Sequence, residues 1–147
     1  MAGITIRKAV EADFTEVLEM IKALAAFEGH DGEVTNSVEQ MRAEQEHFRC
    51  VVAEADGAIV GMALWFFYYE SWVGRILFLN DMWIKEEYRN KGIGSELMQK
   101  IFDAAKEERC KMVRCQVYSW NTPALELYKK LGAAIDPLNN CDFTVES

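Results

Sequence analysis

Between Phe48 and Lys85 the chain is three apolar stretches joined by connections too short to hold a helix. Phe48 to Ala55 reads as a strand, and Ile59 to Tyr69 as a second, apolar and aromatic one. The third is Arg75-Ile76-Leu77-Phe78-Leu79-Asn80-Asp81-Met82-Trp83-Ile84, ending near Lys85. Ala55-Asp56-Gly57-Ala58 is a hairpin turn, and Glu70-Ser71-Trp72-Val73-Gly74 turns the chain back again. Parallel neighbours need a crossover of a dozen or more residues, so these strands pair antiparallel.

Around this meander the pattern is mixed. Ile4-Thr5-Ile6-Arg7 predicts a short first strand. From about Glu11 to Phe27, residues Phe14, Val17, Leu18, Ile21, Leu24 and Ala25 share one helical face. Gly29-His30-Asp31-Gly32 breaks that pattern, and a second helix is expected over Val38 to Glu46. Ser95 to Glu107 places Leu97, Met98, Ile101, Phe102 and Ala105 on one face, and Lys111 to Tyr118 predicts another strand. Asn121-Thr122-Pro123 opens a further helix, with Asn121 or Thr122 as cap and Pro123 in its first turn. Leu131-Gly132 stops it, and a weak last strand is expected from about Cys141 to Glu146. The order predicts an α/β fold: a mixed, mostly antiparallel sheet flanked by helices, as a single domain over residues 1–147.

The chain has 147 residues, 50% hydrophobic and 27% charged, with a formal net charge of −8. That charge argues against nucleic acid as a partner and is compatible with a cationic one. Cys50, Cys110, Cys115 and Cys141 form no C-x-x-C pair, and only Cys50 lies near a histidine in sequence, His47, so no metal site is expected. Arg7, Lys8, Glu11 and Asp13 interrupt any leader, and the longest apolar run, Ala58 to Tyr69, is too short to span a bilayer. The expectation is a cytoplasmic protein with no membrane partner.

Arg89-Asn90-Lys91-Gly92-Ile93-Gly94-Ser95 lies between the third strand of the meander and the helix that follows. A helix start carries backbone N–H groups without internal partners and partial positive charge. Glycines let an anion come close, and Arg89 and Lys91 add formal charge, so this stretch suits a phosphate or pyrophosphate. A Walker loop would need Gly-Lys-Ser/Thr, which is absent, and a dinucleotide fingerprint would need a third glycine where Leu97 stands.

Arg89-Asn90-Lys91-Gly92-Ile93-Gly94 resembles the Arg-x-x-Gly-x-Gly pyrophosphate motif of the GNAT acetyltransferase superfamily. Tyr118-Ser119-Trp120-Asn121-Thr122-Pro123-Ala124 is similar to its pantetheine-holding segment, and Leu127-Tyr128-Lys129-Lys130-Leu131-Gly132-Ala133 to the segment whose tyrosine faces the CoA sulfur. Stretches Ile21 to Glu28, Tyr68 to Trp72 and Tyr88 to Ser95 bring the resemblance nearest to the diamine acetyltransferases of spermidine/spermine and thialysine type. It runs from about Ile4 to Ala133 and fades near Asn139-Asn140-Cys141-Asp142-Phe143, where the family shows Gly-Trp and an apolar strand.

The resemblance implies acyl-CoA bound at splayed central strands and transfer of acetyl from acetyl-CoA to a small cationic amine in a ternary complex, without metal. It implies CoA contacts by Met82, Trp83, Ile84, Arg89 to Ser95 and Asn121, an oxyanion donor among the N–H groups near Met82, Trp83 and Ile84, and Tyr128 as the acid toward the thiolate. Amine recognition would fall to Phe27, Glu28, Glu70, Trp72 and Asn80. Diamine acetyltransferases carry a glutamate at the position of Asn80, and an amide cannot act as a base at neutral pH. That leaves Glu28, Glu70, Asp81 or, as the preferred reading, water relayed by several polar groups; in a regular strand Asp81 would point to the opposite face from Asn80, unless a bulge intervenes. The rival readings are a protein lysine or N-terminal acetyltransferase and a non-catalytic acyl-CoA-binding regulator. Homodimerisation is expected from the resemblance.

Overall fold

The computed structural model describes residues 3–137, 140 and 142–144. By their contacts the residues divide into two compact units, Met1–Gln116 and Val117–Ser147. The first holds β1 (Ile4–Lys8), α1 (Phe14–Phe27), α2 (Val38–Ala43), β2 (Arg49–Ala55), β3 (Ala58–Glu70), β4 (Gly74–Ile84), α3 (Ile93–Glu107) and β5 (Met112–Cys115). The strands lie in the order β1-β2-β3-β4-β5, the first four antiparallel and β5 parallel to β4.

The Asp56-Gly57 hairpin forms as the sequence predicts, with both residues at positive φ (51° and 80°). A left-handed pair of this kind twists in the same sense as the strands it joins. Val52 pairs with Met62, and both enter one core with Phe14, Val17, Leu18 and Met20 of α1 and Met41 of α2. Alternation sends Val51, Ala53, Ala63 and Leu77 to the other face, where they are equally buried. There α3 buries Ile93, Leu97, Met98, Ile101 and Ala105, each such side chain of Leu or Ile size contributing about 1.5–3 kcal/mol. An Arg75–Glu108 ion pair of 3.1 Å ties the end of α3 to that face of β4.

Element boundaries depart from expectation where a terminal turn tightens. Glu11–Asp13 is a 3-10 turn rather than α-helix, and α2 stops at Ala43, leaving Gln45–His47 as a second such turn. The strand expected over Lys111 to Tyr118 is only Met112–Cys115. The helix expected from Ser95 begins at Ile93, so Gly94 lies inside its first turn and only Gly92 precedes it.

The second unit contains α4 (Thr122–Lys130). Asn121 Oδ1 accepts from the Ala124 N–H at 3.4 Å, and Pro123 sits in the first turn. The helix closes on Gly132 at φ 97°, with Gly132 N–H donating to Lys129 O and Ala133 N–H to Tyr128 O, a Schellman closure. Rings of Tyr118 and Trp120 stack 5.6 Å apart just before it. Of the weak strand expected from about Cys141 to Glu146, the described residues Asp142, Phe143 and Thr144 form no strand, and Cys141, Val145 and Glu146 lie outside the described residues.

Candidate active site

A 3-10 turn, Glu86–Tyr88, carries the chain from β4 to the basic loop. Asn90 (φ 62°) and Gly92 (φ 85°) are both left-handed, and they swing the chain into α3. A Cβ on Gly92 would meet nothing within 4 Å, so glycine is required there by conformation rather than by space. The first intrahelical bond nearby is Glu96 N–H to Gly92 O, so the N–H groups of Ile93, Gly94 and Ser95 belong to the opening turn that a helix cannot satisfy internally. Arg89 does more than add charge. Its Nε donates to Ile84 O at 2.8 Å and its guanidinium lies over the Trp83 ring, 4.5 Å from the centroid. The loop is thereby fastened to the end of β4. Lys91 Nζ stands 5.4 Å from the Tyr88 ring centre.

Beside that loop, β4 loses one neighbour and slips against the other. Its parallel pairing with β5 runs from Ile76↔Met112 to Leu79↔Cys115 and stops. On the other edge Trp65 pairs with Leu79 and Leu64 with Asp81, so Asn80 is an unmatched residue, a β-bulge. Lys85 N–H donates to Val60 O, which turns Lys85 toward β3 and, by alternation, Trp83 and Asp81 as well. The backbone of Met82 and Ile84 therefore faces the side that β5 has left, in agreement with Ile84 O accepting from Arg89.

The bulge also settles where Asp81 points. Asn80 Nδ2 donates to Asp81 Oδ2 at 3.0 Å, a bond between successive side chains that regular alternation would forbid. Asp81 lies on the α1 face with Trp83, and the Phe27 ring meets Trp83 at 5.8 Å. A Schellman closure at Gly29 (φ 85°), with His30 N–H on Ala25 O and Gly29 N–H on Ala26 O, holds Glu28 at the C-cap of α1. Burial pushes the Asp81 carboxyl up to about 6, and the neighbouring charge of Glu28 adds to this against the opposing Asn80 bond. Burial raises Glu28 too, while His30 pulls it the other way. Cys50, on β2 opposite Leu64, is pushed up to about 12 by burial and then by Asp13 and Asp81, so it remains a thiol.

Phe27, Glu28, Asn80, Met82, Trp83, Ile84 and the loop Arg89 to Ser95 are thus brought around one stretch of β4. Glu70 and Trp72 are not. They sit at the β3–β4 turn, where Trp72 is 91% exposed and its N–H donates to Glu70 Oε1 at 3.1 Å. Glu70 is six residues along β3 from Leu64, about 20 Å at strand rise. Asn121 and Tyr128 occupy the cap and the body of α4 in the second unit. Asp81 was legible only as one of several acids, because the bulge leaves no local mark in the sequence. Among the described residues no three His, Cys, Asp or Glu side chains group to hold a metal ion.

The fold has known counterparts. An aminoglycoside acetyltransferase from an uncultured soil metagenomic sample, solved with trehalose, superimposes with a TM-score of 0.81 over 98% of this chain and 97% of that one, at 18% identity. In sequence, the thialysine N-epsilon-acetyltransferase of Sus scrofa is 40% identical over 90% of this chain and 85% of its own length. The spermidine/spermine N(1)-acetyltransferase-like protein 1 of Homo sapiens is 30% identical over 87% of this chain and 20% of its own. The acetyltransferase (GNAT) family pattern matches residues 14–133, from the first residue of α1 to the glycine closure of α4. With that span matched, and with relatives of this identity, the chain belongs to the acetyltransferase (GNAT) family.

Proposed function

We propose that this acetyltransferase moves an acetyl group from acetyl-CoA to a small cationic amine of the thialysine, lysine-like or polyamine kind, by direct attack in a ternary complex. The observation that carries the reading is the pair Glu28 and Asp81, charge-coupled on one face of β4 at the point where its other edge opens. An ammonium group is drawn to two carboxylates, and the faces of Phe27 and Trp83 beside them suit a methylene chain or a cation. A thioester oxygen placed in the opened edge would meet the outward N–H of Met82, the natural donor to the oxyanion. The CoA pyrophosphate would take the start of α3, with Arg89, Asn90, Lys91, Gly92, Gly94 and Ser95 around it. Asn121 as pantetheine contact and Tyr128 as acid toward the thiolate rest on the family segments that contain them.

We further propose that both compact units belong to one catalytic domain, since the family pattern runs through both, and that the protein acts as a cytosolic homodimer. Glu70 and Trp72, about 20 Å along β3 from Leu64, lie beyond the reach of a small amine held at Glu28 and Asp81.

The deciding measurement is thiol release from acetyl-CoA with a panel of amines: thialysine, lysine, spermidine, diaminopropane and a lysine peptide. Turnover is expected with the free amines above the peptide. CoA binding without thiol release for any of them would instead support a non-catalytic CoA-binding protein.

A further inference from the structure

An amine is protonated near neutrality and must lose a proton before its nitrogen can attack. Asn80 cannot take that proton. The bulge places two side chains from successive residues together on one face: the amide of Asn80 and the carboxylate of Asp81, 3.0 Å apart. We infer that Asp81 receives the proton of the incoming amine, and that Asn80 is the positioning residue that holds its carboxylate. This rests on the acetyltransferase reading above.

The geometry is specific in three respects. Asp81 follows the unmatched residue of the bulge, so it stands where β4 parts from β5 and next to the backbone of Met82. It is half-buried, whereas Asn80 is exposed, and the amide bonds Oδ2, which leaves Oδ1 to the substrate. The hydrogen bond fixes one oxygen, Oδ2, and a fixed carboxylate presents the second in one direction. The charged or titratable groups that face Asp81 are Glu28 from the end of α1, with His30 beyond it, and the Cys50 thiol from β2.

The atoms balance without a further reactant. The ammonium gives one proton to Asp81, and the freed lone pair forms the C–N bond at the thioester carbon. The C–S bond then breaks with its electron pair on sulfur. The second proton lost by nitrogen offsets the one the thiolate acquires, and Asp81 passes its own proton to water. The products are the N-acetyl amine, CoA thiol and one released proton. Asp81 must be ionised to begin, so turnover rises with pH through its titration, near pH 6.

The test is the pH profile of kcat/KM for the best amine, from about pH 5 to about pH 9, in wild type, D81N, N80A and E28Q. D81N is expected to lose about 100-fold or more in kcat and the acidic limb with it. Its acetyl-CoA affinity, read by calorimetry, should stay within about twofold, which also shows that the variant is folded. N80A should move the limb to higher pH, because the bond it removes favours the ionised carboxylate; a merely structural role for Asn80 would lower kcat and leave the limb in place. E28Q should move the limb to lower pH by removing a like charge. Wild-type-like turnover and limb in D81N, or loss of the limb in E28Q, would overturn the assignment while leaving the acetyltransferase reading intact. A wild type that acetylates no amine would overturn both.

Discussion

Arg89 lies with its guanidinium 4.5 Å from the centre of the Trp83 ring while its Nε donates to Ile84 O at 2.8 Å. One side chain thus joins the basic loop to the end of strand β4, and Trp83 in turn meets Phe27 of α1 at 5.8 Å. Replacement by alanine removes the stacked cation and the charge-assisted bond together. R89A is expected to lower stability by about 1–2 kcal/mol and CoA affinity by about tenfold or more. R89K should recover part of the affinity and little of the stability, since an ammonium cannot stack as a planar fork. Thermal melts and CoA titration check this, and unchanged affinity in R89A would remove the loop from the CoA site.

Gly92 caps α3 at φ 85° with open space around it. G92A is therefore strained without being crowded, and a loss of about 1–2 kcal/mol is expected. CoA binding should weaken as well, because the strain is relieved by turning the loop away from the helix start. A melting temperature equal to wild type would show that the loop does not hold this conformation.

Tyr128 sits in the last turn of α4, where its carbonyl accepts from the Ala133 N–H of the helix closure. As the proposed acid it should be needed for departure of the thiolate and not for binding. Y128F is expected to lower kcat by about 10² or more with the acetyl-CoA KM nearly unchanged. Full turnover in Y128F would transfer the role to water or another group.

Asp13 accepts from Arg7 at 2.7 and 3.0 Å and from the Val10 N–H at 2.8 Å. The Arg7 bonds above all, helped by the backbone bond and opposed by burial, hold its carboxyl below the ordinary 3.8. A depressed acid contributes stability that is complete above its unfolded value and is lost as pH falls through the folded one. D13N should cost about 1–3 kcal/mol at neutral pH, with the deficit shrinking in strong acid. Urea midpoints at neutral pH and at about pH 2–3 measure the difference, and a deficit independent of pH would contradict the ionic origin.

Much of this molecule is legible in local patterns. The Asp56-Gly57 turn, the stop at Gly132, the Asn121 cap and the apolar stripes of α1 and α3 each follow from a few neighbouring residues. The same holds for the basic loop Arg89 to Ser95, whose glycine requirement at position 92 is a property of the backbone. Boundaries slipped by one turn at Glu11–Asp13, at Gln45–His47 and at Ile93, where the choice between α, 3-10 and coil depends on packing. Glu70 and Trp72 match Glu28 and Phe27 in residue chemistry, acid and aromatic, but the length of β3 keeps them apart.

By itself the sequence determined the antiparallel meander, the helix order and the basic, glycine-bearing loop Arg89 to Ser95, since short connections, glycine and hydrophobic period act within a few residues. Only the tertiary structure decided that the ladder slips at Asn80, that β5 stops opposite Leu79 and that the charge of Glu28 is brought within reach of Asp81. Register and strand ends are set by pairing between distant segments, and a carboxylate's proton affinity by the water and charge that those segments exclude or bring near.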